Sequence, residues 1–182
     1  YASVTAGRQA LDYGSGAIVS SNQWGANRAT WDGFTFGLDL DMADVTLGYA
    51  STTDSISDLD GRSQMWLNAA KGEGDWNANL LYVSTTLGDA DAMTAMGLDL
   101  SYAMMGGDLN LNVSYNTSTG YEMDALGASV DGDMISIGAT YNVNESMSIS
   151  GSQTTYGENG FAGVGSASMG GYASSGSLGY LG

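Results

Sequence analysis

The chain has 182 residues, 4 Lys+Arg against 20 Asp+Glu, a formal net charge of -16, and no Cys, His or Pro. These counts exclude disulfides, thiolate or imidazole metal sites, a Cys nucleophile and a Ser-His-Asp triad. The acidic balance excludes a nucleic-acid partner, whose phosphates need Lys and Arg. With 43% hydrophobic residues, 28 Gly, 11 Tyr and 4 Trp, the chain is not a disordered acidic tail, and its Tyr and Trp suit half-wet, half-apolar sites such as a membrane interface.

Residues 1 to 8 read as a strand, and 9 to 28 as a long link of small and polar residues. In 30 to 42, Phe34, Phe36, Leu38, Leu40 and Met42 alternate with Thr35, Gly37, Asp39 and Asp41. The same period of two, the mark of a strand with two different faces, runs through 44 to 51 (Val45, Leu47, Tyr49) and more weakly through 64 to 71 and 75 to 86. It returns in 93 to 104 (Met96, Leu98, Leu100, Tyr102, Met104), in 108 to 116 (Leu109, Leu111, Val113, Tyr115) and in 133 to 143 (Ile135, Ile137, Tyr141). Further strands are predicted at 146 to 154 and 175 to 182.

About ten strands result, most nearer the ~9 to 11 residues of a membrane-crossing strand than the ~5 to 6 of a globular one. Short turns near 42 to 44, 72 to 74, 106 to 107 and 144 to 145 alternate with long links at 9 to 28, 52 to 63, 87 to 92, 117 to 131 and 155 to 174. Tight turns at one rim and long loops at the other are the layout of an outer-membrane barrel. The polar face of the strands is Asn, Ser, Thr, Gly and Asp, with little of the mixed charge of a soluble surface, and the apolar positions named carry no charge. A secreted soluble β-protein is the competing reading. No stretch approaches the ~20 apolar residues of a transmembrane helix. The expected fold is therefore an all-β, antiparallel, up-and-down transmembrane β-barrel. It forms a single domain over residues 1 to 182 and is read as part of a larger barrel, cut at both ends, in the bacterial outer membrane.

The spaced set Gly7-Arg8-Gln9, Leu11, Tyr13-Gly14, Trp24, Arg28 and Trp31-Asp32-Gly33 resembles the signature of the alginate-export family of bacterial outer-membrane porins. The likeness covers about 27 residues, and the rest of the chain matches in architecture alone. It implies a monomeric barrel that passes a solute passively, with Arg8 and Arg28 as pore-lining candidates. Here the lumen parity also carries Asp39, Asp41 and Asp99, and such a field concentrates cations and repels polyanions.

The pore-lining candidates are Arg8, Arg28, Asp32, Asp39, Asp41 and Asp99, with Asp12 as a further partner for the arginines. Interior charges usually pair, so both arginines are expected to face inward, either across a constriction or as a structural ion pair. The link 9 to 28 is expected to fold into the lumen, with Ile18 and Trp24 against the wall. Asp54, Asp58 and Asp60 form a hard-oxygen set for Ca²⁺, although a solvated acidic loop explains them more simply. Asp89 with Asp91 and Asp131 with Asp133 are weaker versions. Trp76, Tyr82, Tyr102, Tyr115 and Tyr141 fall on the lipid parity as candidate girdle residues. No enzyme is expected, because Asp39 and Asp41 would sit side by side on one wall and could not flank a glycosidic bond. The functional expectation is passive diffusion of small polar or cationic solutes, with outer-membrane lipid and those solutes as partners. The alternative is a structural or adhesive barrel that self-associates through its long loops.

Overall fold

The computed structural model describes residues 1–21, 30–51, 63–86, 92–123, 128–161 and 163. Nine strands form one sheet in sequence order: β1 Ala2–Gln9, β2 Trp31–Asp39, β3 Asp44–Ser51, β4 Ser63–Glu73, β5 Trp76–Thr86, β6 Met93–Met104, β7 Leu109–Met123, β8 Ala128–Asn144 and β9 Met147–Tyr156. Each neighbouring pair is antiparallel. The sheet is an open up-and-down meander, in which β1 pairs only with β2 and β9 only with β8. The strand expected at 175 to 182 lies outside the described residues.

The register fixes the faces. Phe36 stands opposite Leu47, Leu47 opposite Leu67, Leu67 opposite Tyr82 and Tyr82 opposite Met96. Pairing at one parity therefore extends each strand's apolar stripe into a continuous surface. That surface is open: Met96 is 49% exposed and Leu98 41%, whereas Ala95, one residue away on the other parity, is 1% exposed. The apolar cover thins at β9, where Gly151, Gln153 and Thr155 stand opposite Ala139, Ile137 and Ile135. An ordinary soluble sheet buries its apolar face and wets its polar one. Here the apolar face is the exposed one among the described residues.

The region expected as a link at 117 to 131 is largely strand, since β7 runs to Met123 and β8 starts at Ala128. A register shift between Ser118 and Tyr121 explains why the sequence hides it. A bulge moves the side chains by one position and breaks the period of two. The turn between β6 and β7 is a short 3-10 segment, Met105–Gly107, in which Met105 and Gly106 both have positive φ.

Candidate functional site

The polar parity has two halves. At the long-link end, residues 10–21 leave β1 and fold across the sheet. Leu11, Ala17, Ile18 and Val19 meet Trp31, Ala50, Trp66, Leu81, Val83, Ala95, Met134 and Phe161 in one buried cluster. All the strand members of this cluster lie on the parity opposite to the exposed apolar face. The Trp31 and Trp66 rings are 6.2 Å apart at a tilted angle. Gly48 makes room for this pair, because a Cβ there would run into the Trp66 ring. Burying apolar side chains stabilises by roughly 25 cal/mol per Å² removed from water, so the link is held by its own apolar residues as well as by polar contacts.

The polar contacts are specific. Trp66 Nε1 donates to the Tyr13 hydroxyl at 2.9 Å. Burial pushes the Tyr13 phenol above its ordinary pKa, and the hydrogen bond from Trp66 pulls it partly back. Ser15 N donates to Asp99 Oδ2 at 2.9 Å, and Ser15 Oγ lies 3.1 Å from Ser114 Oγ. Gly14, with φ +54°, lies so close to Asp99 that a Cβ would collide with its carboxylate. A side chain is therefore excluded there by space as well as by backbone. Asp12 accepts from Ser21 N at 2.7 Å and Ser21 Oγ at 2.6 Å, closing the link on itself.

Towards the tight-turn end the same face is wet. A cavity of about 1100 Å³ is lined from Gly14 and Ser15 of the link and from strands β3 to β9, so the sheet curls around it. Its wall is mostly hydroxyl, carboxamide and glycine, with Asp44, Lys71 and Asp99 as its charged residues.

The sequence candidates separate in this frame. Asp99 lies on the cavity wall. Arg8 and Asp32 pair directly: Arg8 Nε and Nη2 donate to the two Asp32 carboxylate oxygens at 2.9 and 2.8 Å. Their direction, however, differs from the expectation. Arg8 faces Asp32 in the register that pairs Ala6 with Phe34 and Val4 with Phe36, which puts the pair on the apolar parity, with side chains 68% and 44% exposed. The pair stands one residue from the long-link ends of β1 and β2, past the apolar stripe. Lys71 shares the parity of Met65 and Leu67 at the opposite rim, and its Nζ donates to the Asp41 carbonyl at 2.8 Å.

Asp39 ends β2 in an exposed position beside the tight turn that contains Asp41, and neither lines the cavity. Arg28, Trp24, Asp54, Asp58, Asp60, Asp89 and Asp91 lie outside the described residues. Asp131 Oδ1 accepts from Gly120 N at 3.0 Å. Among the described residues no group of three or more acidic side chains is placed to hold a metal.

The sequence reading missed the apolar half of the covered face. Trp31, Trp66, Leu81, Val83 and Met134 break the polar parity of their strands, and that breach was the available signal. Trp76, Tyr82, Tyr102, Tyr115 and Tyr141 all stand exposed on the apolar face. A comparison with known protein-family models and with curated proteins found no match for this chain.

Proposed function

We propose that the chain is a bacterial outer-membrane β-barrel, resembling alginate-export porins, that lets small polar or cationic solutes diffuse passively. The observation that carries this reading is the inverted sheet, with large apolar side chains exposed on one face and amides and hydroxyls enclosed on the other. Lipid is the surrounding that rewards such a face, and in lipid a sheet must close, because its free edges would find no hydrogen-bond partner. On β6 the exposed stripe from Met96 to Met104 spans ~27 Å along the strand, which at a tilt of ~35 to 45° covers ~19 to 22 Å, most of the ~25 Å apolar band.

The aromatic positions support the same reading. Trp76 and Tyr82 are six residues apart on β5. On the β7–β8 pair, Tyr115 faces Ile135, and Tyr141 lies six residues further along β8. Two aromatic lines thus run across the sheet at one separation, ~20 Å along the strands, as interfacial girdles do. Arg8 with Asp32 and Lys71 flank the band at opposite rims.

The test is conductance in planar bilayers. The reading predicts steady openings with cation preference. Asp99→Asn should shift the reversal potential towards zero, with Asp39→Asn as a weaker companion. No conductance from the inserted protein would overturn the reading. The buried cluster under the link favours a second reading, a structural barrel closed across the long-link half, for which absence of conductance is the expected result.

A further inference from the structure

The wall of the cavity is ordered in rows. Through the strand register, Asn79 faces Asp99, Asp99 faces Ser114, Ser114 faces Ser136, and Ser136 faces Thr154. Two residues nearer the tight turns, Asn77 faces Ser101 and Ser101 faces Asn112. Each row thus carries carboxamides and hydroxyls side by side, and rows repeat every ~7 Å along the strands. Neighbours within the rows also bond one another: Asn77 Nδ2 donates to Ser101 Oγ at 3.3 Å, and Thr154 Oγ1 to Ser136 Oγ at 3.0 Å. Hydroxyls and carboxamides are each donor and acceptor, so bonds within a row leave further donors and acceptors for a guest.

Asp99 is the one charge inside these rows, and only one of its oxygens is open to the cavity. Its Oδ2 accepts from Ser15 N at 2.9 Å, and its Oδ1 is buried with no hydrogen-bond partner among the described residues. A cation in the cavity therefore meets the carboxylate only through Oδ2, which already accepts from Ser15 N. Lys71 and Asp44 lie at the tight-turn ends of their strands. Among the described residues no aromatic side chain lines the cavity, so recognition of a guest falls chiefly to the hydroxyls and carboxamides of the wall.

We propose that this cavity is a binding vestibule for compact, uncharged, multiply hydroxylated solutes of the open-chain polyol class. The proposal rests on the porin reading and narrows its solute. Each hydroxyl of such a guest, like each hydroxyl and carboxamide of the wall, both donates and accepts. A site built to hydrogen-bond its guest discriminates strongly against one that leaves buried polar groups unpaired. An anionic relative of the same guest meets the Asp99 charge and a cationic one a carboxylate already bonded to Ser15 N, so neither recovers in full the hydration it loses.

The test uses proteoliposome swelling with three solutes on one six-carbon skeleton: sorbitol, gluconate and N-methylglucamine. Wild-type protein should pass sorbitol several-fold faster than either charged relative, and sorbitol should also damp the single-channel potassium chloride current. In Asn79→Leu with Ser114→Ala the advantage of sorbitol over N-methylglucamine should shrink towards none. Equal rates for the three solutes in wild type, or N-methylglucamine leading, would overturn the proposal while leaving the porin reading standing. The wild-type ranking decides the matter even where the double variant does not insert. A channel that conducts no potassium chloride and swells in no solute refutes the porin reading itself.

Discussion

On β6, Met96, Leu98 and Leu100 each stand one residue from Gly97, Asp99 or Ser101, yet the two sets meet opposite surroundings. The first set is exposed. Two members of the second, Asp99 and Ser101, line a cavity roofed by a returning segment of the chain. A period of two delivers two faces for one strand, and the neighbouring strands keep them in register. What differs is what covers each face. The covered face acquires a core from its own link, while the apolar face has no protein cover among the described residues. That contrast shifts the weight of stability. A globular sheet holds itself together through its apolar face, whereas here the internal packing energy lies in the cluster of Trp31, Trp66, Val83 and the link, on the otherwise polar side.

The largest way to break the contrast is to empty the covered side. Trp66→Ala removes a buried ring that both stacks near Trp31 and donates to Tyr13, and should cost about 3 to 5 kcal/mol, read as a fall in the denaturation midpoint in detergent or lipid. Next comes a charge on the opposite side. Leu98→Arg should cost about 2 to 4 kcal/mol if that side meets the bilayer interior, measured as folding equilibrium into lipid vesicles. The same arginine at Ser101, on the wet wall, should cost much less. Equal costs at the two positions would mean that the apolar face lies in water.

Tyr13→Phe is milder, because it strands the Trp66 N–H in a buried place, at about 1 to 3 kcal/mol. It also has a pH signature. Burial raises the Tyr13 pKa in the folded state, so the stability tied to its neutral form is complete below the ordinary tyrosine range and is lost as pH rises through the raised value. Indole fluorescence should report release of the link at strongly alkaline pH, and Tyr13→Phe should remove that transition. Arg8→Gln should do least, since its ion pair with Asp32 is open to solvent, where such pairs contribute little. A midpoint unchanged within error is the expected result.

Much of this was legible in the sequence where one physical rule acted alone. Strand β3 occupies residues 44 to 51 and β6 residues 93 to 104, the spans that alternation predicts. Alternation failed at Ser118 and Tyr121, where a bulge resets the phase. The direction of Arg8 and Asp32 was misread because the rule that charges turn inward holds within a membrane's depth and not at a strand's end. Counting two residues back from Phe34 would have put Asp32 on the apolar parity. The inward fold of the link was readable from its small residues and Ile18. The partners of Tyr13 and Ser15 were not, because Trp66, Asp99 and Ser114 are 53 to 99 residues away and only the register brings them to the same place.

In the proposed barrel the exposed apolar face meets lipid and the covered face meets water. The chain has no cysteine, so single cysteines along residues 96 to 104 of β6 can each carry a spin label in lipid vesicles, and collision with oxygen and with a water-soluble nickel chelate can be measured site by site. A period of two is expected: labels at 96, 98, 100, 102 and 104 relaxed by oxygen and shielded from nickel, and labels at 97, 99, 101 and 103 shielded from oxygen. Nickel reaching the even positions as freely as a label in water would contradict it.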